Sequence, residues 1–126
     1  MPAEQTVSRD RLVSFIRLAL IRLGLPDADA QTVAALMADA DLQGSDGHGV
    51  TRLVPYAKRI RAGGFNVTPT IRVVHDHLAT ALIDGDNGMG HLVMSRAAEM
   101  AIAKARTTGI AWVNAQFSNH AGPASL

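Results

Sequence analysis

The spacing of apolar residues changes once along this chain, and that change limits the folds it can adopt. Before Gly63-Gly64, apolar residues recur every three or four positions, as on one face of an α-helix. After Thr70, short runs rich in β-branched residues follow, which is typical of strands. The sequence therefore predicts a mixed α/β fold, with helices in residues 1–64 and an α/β unit in residues 65–126.

Two amphipathic helices are predicted at the start of the chain. The first follows Ser8, a residue type that commonly caps helix N-termini, and stops at Gly24. The second begins at Asp27 or Asp29 and extends to about Leu42. Both have the apolar spacing of helices that pack on a core.

A third apolar series is interrupted by Pro55. Proline lacks an amide donor and disfavours helical conformation at the preceding residue, Val54. We therefore expect either a short turn over His48 to Leu53 followed by a helix, or one helix kinked at the proline. The first alternative would weaken a same-face arrangement of His48 and Arg52.

The second half of the chain is predicted to contain a β-hairpin followed by a strand-helix-strand unit of a mixed sheet. Glycine-rich residues separate the hairpin from the helix, and Gly109 is expected to end that helix. The predicted elements are strands at Ile71–Val74 and Thr80–Ile83, a loop at Asp84–Gly90, a helix at His91–Arg106 and a buried strand at Ile110–Val113.

Composition excludes several classes of protein. With 12 basic and 11 acidic residues the chain has a formal net charge of +1, so no basic surface for nucleic acid or acidic membranes is expected. It has no cysteine, which excludes disulfides, thiolate metal sites and a cysteine nucleophile. No apolar run is long enough to span a bilayer, and no signal peptide is visible, so a cytoplasmic location is expected.

The segment around His48 offers the clearest chemistry. Glycines flank this imidazole, and a guanidinium, Arg52, follows four residues later. On one helical face the two β-carbons would lie about 5–6 Å apart. An imidazole can exchange a proton near neutral pH, and a guanidinium can bind a carboxylate with two hydrogen bonds. The pair therefore suits a substrate with a carboxylate beside a protonatable oxygen; the alternative is a glycine-rich helix start with both side chains in solvent.

Other segments suggest weaker alternatives. The glycine spacing in Asp84–Gly90 differs from the dinucleotide fingerprint, and its aspartates would repel phosphate, so a capped turn competes with a phosphate loop. His75 and His77 could bind a metal, although no third ligand is near in sequence. Ser118 precedes His120 too closely for a serine hydrolase. His120 itself follows a strand, where ligands bind in open α/β sheets, and could reach the cleft of His48.

Three motifs in order resemble the type-2 malate/L-lactate dehydrogenase family. They are the stretch Asp-Leu-Gln-Gly-Ser-Asp-Gly-His-Gly-Val-Thr-Arg-Leu from Asp41, with Tyr56 and Ile60 behind it, the glycines of 84–90, and Ser118–Gly122. The resemblance implies interconversion of a 2-hydroxy acid and a 2-oxo acid, or reduction of a cyclic imino acid, with NAD or NADP. It also implies a fold other than the Rossmann fold and a cytoplasmic homodimer that binds neither nucleic acid nor membrane.

The resemblance also implies roles for particular residues. His48 would be the catalytic proton donor or acceptor, and Arg52 would bind the substrate carboxylate. The substrate pocket would be lined by His120, Ala121, Gly122, Pro123 and Ala124, and no metal is implied.

The chain departs from the family pattern in two ways. Gly47 stands where the family usually has a serine. Family members are also more than twice as long, so residues 1–126 are expected to be the N-terminal portion of such an enzyme. Most cofactor contacts would then lie beyond Leu126, and the chain alone would be inactive or nearly so. The competing hypothesis is a non-catalytic interaction or assembly module.

Overall fold

The computed structural model describes residues 6–123, which form four α-helices, one 3-10 turn and three β-strands. The helices are α1 (Arg9–Arg22), α2 (Asp27–Leu42), α3 (Leu53–Arg61) and α4 (Gly90–Thr108), and the 3-10 turn covers Val50–Arg52. The strands are β1 (Arg72–Asp76), β2 (Thr80–Gly88) and β3 (Trp112–Ser118).

The first two helices form as predicted. The Ser8 side chain accepts a hydrogen bond from the Arg11 amide, and Gly24 leaves α1 with φ of 103°. The helices pack side by side because their apolar faces share one core, to which they contribute the fully buried side chains Ile16, Leu20, Val33 and Met37.

The segment around Pro55 adopts the first of the two predicted alternatives. A 3-10 turn ends at Arg52 and α3 begins at Leu53, so Pro55 lies in the first helical turn, where its missing amide leaves no bond unmade. His48 precedes the 3-10 turn, so no single α-helix carries both His48 and Arg52. The alternative with both side chains on one helical face therefore does not form.

The three strands form one sheet in the order β1-β2-β3. The hairpin pairs β1 with β2 antiparallel, with Val73 opposite Ile83, as predicted. The connection through α4 makes β3 parallel to β2, with Ala81 opposite Val113. Gly109, with φ of 80°, ends α4 as expected. A Rossmann sheet is mostly parallel with helices on both faces, so this small mixed sheet confirms the non-Rossmann α/β prediction.

Two predictions for the second half are wrong in detail. The glycine-rich segment is not a loop: β2 continues through it to Gly88, with a register shift after Asp84 that ends where Gly88 pairs with Ser118. β3 is not a buried strand either, because Trp112 at its start is 68% exposed and no described residue covers that side.

One apolar cluster joins the helices to the start of the second half. Met89 and Leu92, at the N-terminus of α4, pack into the core of α1 and α2. A second cluster lies between α4 and the sheet and includes Ile83, Val93 and Ala97. Among residues 6–123, no helix has both the length and the apolar character needed to cross a membrane.

Candidate functional site

A tight turn between α2 and the 3-10 turn presents His48. The amide of His48 donates to the Ser45 carbonyl at 2.8 Å. Asp41 accepts a hydrogen bond from the Val50 amide at 2.8 Å and so satisfies a free donor at the start of the 3-10 turn. The Asp41 carboxylate lies where a β-carbon on Gly49 would be, so a side chain at position 49 would displace this carboxylate and its hydrogen bond to Val50.

The glycine on the other side of His48 is under no such restriction. A β-carbon on Gly47 would have no atom within 4 Å. Its carbonyl accepts a hydrogen bond from Arg52 Nε at 2.7 Å, which folds the guanidinium back toward His48. Because the guanidinium has five N–H donors, this bond leaves the terminal nitrogens available for a carboxylate.

His120 reaches the same place from the end of β3. Its imidazole stacks on that of His48, with ring centroids 5.3 Å apart and an interplanar angle of 13°. The Tyr56 hydroxyl lies 2.6 Å from His120 Nδ1. Arg52 is close enough for its charge to influence both His120 and Tyr56. The structure thus brings together His48, Arg52 and His120, as the sequence predicted.

The protonation of this cluster follows from its partial burial. Burial raises the pKa of Tyr56 to about 12, against an opposing effect of Arg52, so the phenol keeps its proton at neutral pH. Desolvation, followed by the charges of Arg52 and His48, lowers the pKa of His120. When the phenol donates to Nδ1, a neutral His120 carries its own proton on Nε2.

The backbone before His120 is fixed by the end of β2. Asn119 donates to the carbonyls of Asn87 and Gly88 at 3.0 and 2.9 Å. On the other side, Gly90 presses against this segment: a β-carbon there would overlap the Asn119 carbonyl oxygen and lie 2.5 Å from that of His120. The position of His120 therefore depends on glycine at the first residue of α4.

The rest of the predicted pocket loop follows directly. Ala121, Gly122 and Pro123 are half-buried, and Gly122 has φ of 90°. Ala124 lies outside the described residues. Whether this loop contacts substrate stays a prediction.

Residues 6–123 do not support the two alternative sites, a phosphate loop in the glycine-rich segment and a metal site at His75 and His77. The Asp86 carboxylate accepts hydrogen bonds from the Thr70 amide and the Asn66 side chain, both at 2.9 Å, so the glycine-rich segment is tied to the protein's own backbone and forms no open phosphate cradle. His75 lies in β1 and His77 just after it, both exposed. No group of three potential ligands that could hold a metal ion occurs among the described residues.

Two neighbours of the site were not predicted to lie there. Tyr56 belongs to the first motif and His91 begins a predicted helix, and neither pattern indicates a contact with His120. His91 is 1% exposed, and its ring lies 5.9 Å from that of Tyr56 and 6.5 Å from that of His120. The sequence feature that could have indicated a buried histidine is its position beside the apolar residues Leu92 and Val93 at the start of a helix.

Stability should depend on pH through His91. Burial, with smaller effects of His120 and His48, lowers the pKa of His91 to about 4, whereas an unfolded histidine has a pKa of about 6.5. The unfolded chain therefore binds a proton first, and stability is lost as pH falls from 6.5 toward 4. We expect a loss of about 3 kcal/mol in the free energy of unfolding.

Urea unfolding between pH 7 and pH 4 measures this loss. His91→Gln, which cannot titrate, is the matched control and should remove that part of the pH dependence. Equal pH dependence in both proteins would show that His91 is not the titrating group.

Known proteins resemble this chain over nearly its whole length. A family model described as malate/L-lactate dehydrogenase matches residues 7–126. Malate dehydrogenase from Pyrococcus horikoshii is 48% identical over 116 residues, which cover 92% of this chain and 32% of that protein. L-sulfolactate dehydrogenase from Methanocaldococcus jannaschii is 40% identical over 82% of this chain and 30% of its own length. Ureidoglycolate dehydrogenase (NAD(+)) from Escherichia coli is 34% identical, with coverage of 94% and 34%.

Solved structures of two of these proteins have the same fold. The Pyrococcus horikoshii enzyme superposes with a TM-score of 0.92, over 95% of this chain and 34% of that one, at 48% identity. The Methanocaldococcus jannaschii enzyme also superposes with a TM-score of 0.92, over 95% of this chain and 35% of that one, at 36% identity. The chain thus spans about a third of the length of the relatives it matches.

Proposed function

This chain belongs to the malate/L-lactate dehydrogenase family, and on that premise we propose that it forms the substrate side of an NAD(P)-dependent oxidoreductase. The proposed reaction interconverts a 2-hydroxy acid, of the malate or lactate type, and its 2-oxo acid. The convergence of His48, His120 and Arg52 on one small volume carries the proposal.

Each side chain has a distinct role toward such a substrate. Arg52 binds the carboxylate through its terminal nitrogens, because its Nε is already bonded to the Gly47 carbonyl. His48 exchanges the proton of the 2-hydroxyl group, so that no free alkoxide forms. His120, held by Tyr56, lines the pocket with Ala121, Gly122, Pro123 and Ala124 and fixes the orientation of the oxygen.

The cofactor is proposed from the resemblance and from relatives such as the ureidoglycolate dehydrogenase, whose name includes NAD(+). The glycine-rich segment does not fit the phosphates of a dinucleotide, because the Asp86 carboxylate there is hydrogen-bonded to the Asn66 side chain and the Thr70 amide. For this chain we therefore propose roles toward substrate and proton only. A homodimer and a cytoplasmic location also stay predictions from the resemblance.

A chimaeric enzyme tests the function. In it, this chain replaces the matching segment of the Pyrococcus horikoshii malate dehydrogenase, to which it is 48% identical. We expect the chimaera to oxidise malate or another 2-hydroxy acid with NAD or NADP, as followed by absorbance of the reduced cofactor. The 126-residue chain alone should show little or no turnover under the same conditions.

The competing hypothesis makes the opposite prediction. If the chain is a non-catalytic interaction module, a folded chimaera will have no activity with malate, lactate, sulfolactate or ureidoglycolate. Circular dichroism and size-exclusion chromatography of the chimaera establish that it is folded, so such a result would reject the proposed function.

A further inference from the structure

A buried histidine lies behind the candidate site without a hydrogen-bond partner. Among residues 6–123, His91 is 1% exposed, and neither its Nδ1 nor its Nε2 has a partner there. Buried polar atoms almost always have one, and leaving one unpaired is costly. Its neighbours in the chain, Leu92 and Val93, are apolar and fully packed, so core packing alone does not explain an imidazole at this position.

The surroundings of His91 point to the Tyr56–His120 pair. The His91 ring stands nearly perpendicular to the Tyr56 ring, at 84° with centroids 5.9 Å apart, and at 66° to the His120 ring, 6.5 Å away. The Tyr56 hydroxyl lies 2.6 Å from His120 Nδ1, and the centroids of these two rings are 6.1 Å apart. The three rings therefore form a compact triangle, in which the buried His91 imidazole lies beside both members of the pair.

We propose that His91 is a positioning residue that completes a chain of three groups, His91, Tyr56 and His120. A small rotation of the His91 ring, or one bridging water molecule, joins it to the Tyr56 hydroxyl. This inference rests on the proposed function, in which His120 faces the substrate oxygen.

The three groups can be hydrogen-bonded in two complete arrangements. In the first, His91 donates to the phenol oxygen and the phenol donates to His120 Nδ1, so His120 presents an N–H at Nε2. In the second, His120 Nδ1 donates to the phenol and the phenol donates to His91, so His120 presents a lone pair at Nε2. Every ring is neutral in both; only the nitrogen that carries the proton differs, and interconversion exchanges protons with water.

The two tautomers of His120 suit a pocket that binds both the oxidised and the reduced form of one substrate. A 2-oxo acid offers a carbonyl that needs a donor, whereas a 2-hydroxy acid offers a hydroxyl that can donate to a lone pair. Without a polar group at position 91, the second arrangement would leave the buried phenol proton unpaired. His120 would then be held as a donor only.

The tautomer of His120 tests the proposal directly. Two-bond ¹⁵N–¹H spectra of the purified chain give the ratio of the Nε2–H to the Nδ1–H form, and His120→Gln identifies the signals. Because a buried unpaired hydroxyl is unfavourable, His91→Phe and His91→Leu should raise this ratio at least about fivefold. His91→Gln, whose amide both donates and accepts, should keep the wild-type ratio.

Each outcome is decisive for His91. A folded apolar variant with the wild-type ratio would overturn the proposal, and so would a glutamine variant that behaves like the apolar ones. Unfolding of both apolar variants would also count against it, since the imidazole would then be needed for the fold. The ratio is measured without cofactor or turnover, so an inactive chimaera would reject the proposed function while leaving this result intact.

Discussion

Replacing His48 with alanine in the chimaeric enzyme is expected to lower kcat for oxidation of a 2-hydroxy acid by about 10²–10⁴-fold, the usual contribution of a positioned acid or base. The reason is that His48 stacks on His120 at 5.3 Å and lies near Arg52, the residue proposed to bind the carboxylate, which would put the imidazole beside the 2-hydroxyl group. Steady-state rates with reduced cofactor as the readout provide the measurement.

Two further variants separate proton transfer from binding. Arg52→Lys removes the planar fork that binds a carboxylate and should act mainly through KM. His75→Ala is the matched control, because this histidine is exposed in β1, away from the site, and its replacement should leave both constants unchanged. If His48→Ala changes only KM, His48 binds the substrate but does not exchange its proton.

Gly90→Ala is expected to destabilise the 126-residue chain by about 3 kcal/mol. Helix propensity alone would favour alanine by up to about 1 kcal/mol. A loss of stability would therefore identify the overlap of the new β-carbon as its cause. A β-carbon at Gly90 would overlap the Asn119 carbonyl and crowd that of His120, and both are backbone atoms that cannot turn away. Either the helix or the segment that carries His120 must move.

Urea unfolding measures this loss, and the His120 ring signals report displacement of the site. Gly47→Ala is the matched control: its β-carbon would meet no atom within 4 Å, so we expect a change within about 0.5 kcal/mol. Equal stability of the two variants, with His120 unmoved, would show that α4 tolerates a side chain at its first residue.

The elements that depend on local patterns could be predicted from sequence. The apolar period of α1 and α2, and the cap at Ser8, are properties of neighbouring residues, and both helices form where expected. The β-branched runs of the hairpin likewise specify their own pairing. Of the two alternatives for His48, the turn forms and the single helix does not, because Pro55 lies in the first turn of α3 and Asp41 binds the Val50 amide at the start of the 3-10 segment.

The site was only partly predictable for a related reason. His48, Arg52 and His120 stand in recognisable motifs, whereas Tyr56 and His91 come to the site through contacts between distant parts of the chain. Tyr56 and His120 are 64 residues apart, and no local pattern indicates that a phenol and an imidazole will meet. The exposure of β3 was not predictable either, because the apolar pattern of a strand does not indicate whether another element covers it.

That separation of 64 residues also has a consequence for how the protein is made. Contacts between neighbours form early in folding, and contacts that close long loops form late. During synthesis, α1 to α3 can pair before β3 exists, whereas the phenol of Tyr56 meets His120 only after β3 has been made. We therefore expect the pocket to assemble after the helices, so that a nascent or nicked chain can be extensively helical and still lack the Tyr56–His120 contact.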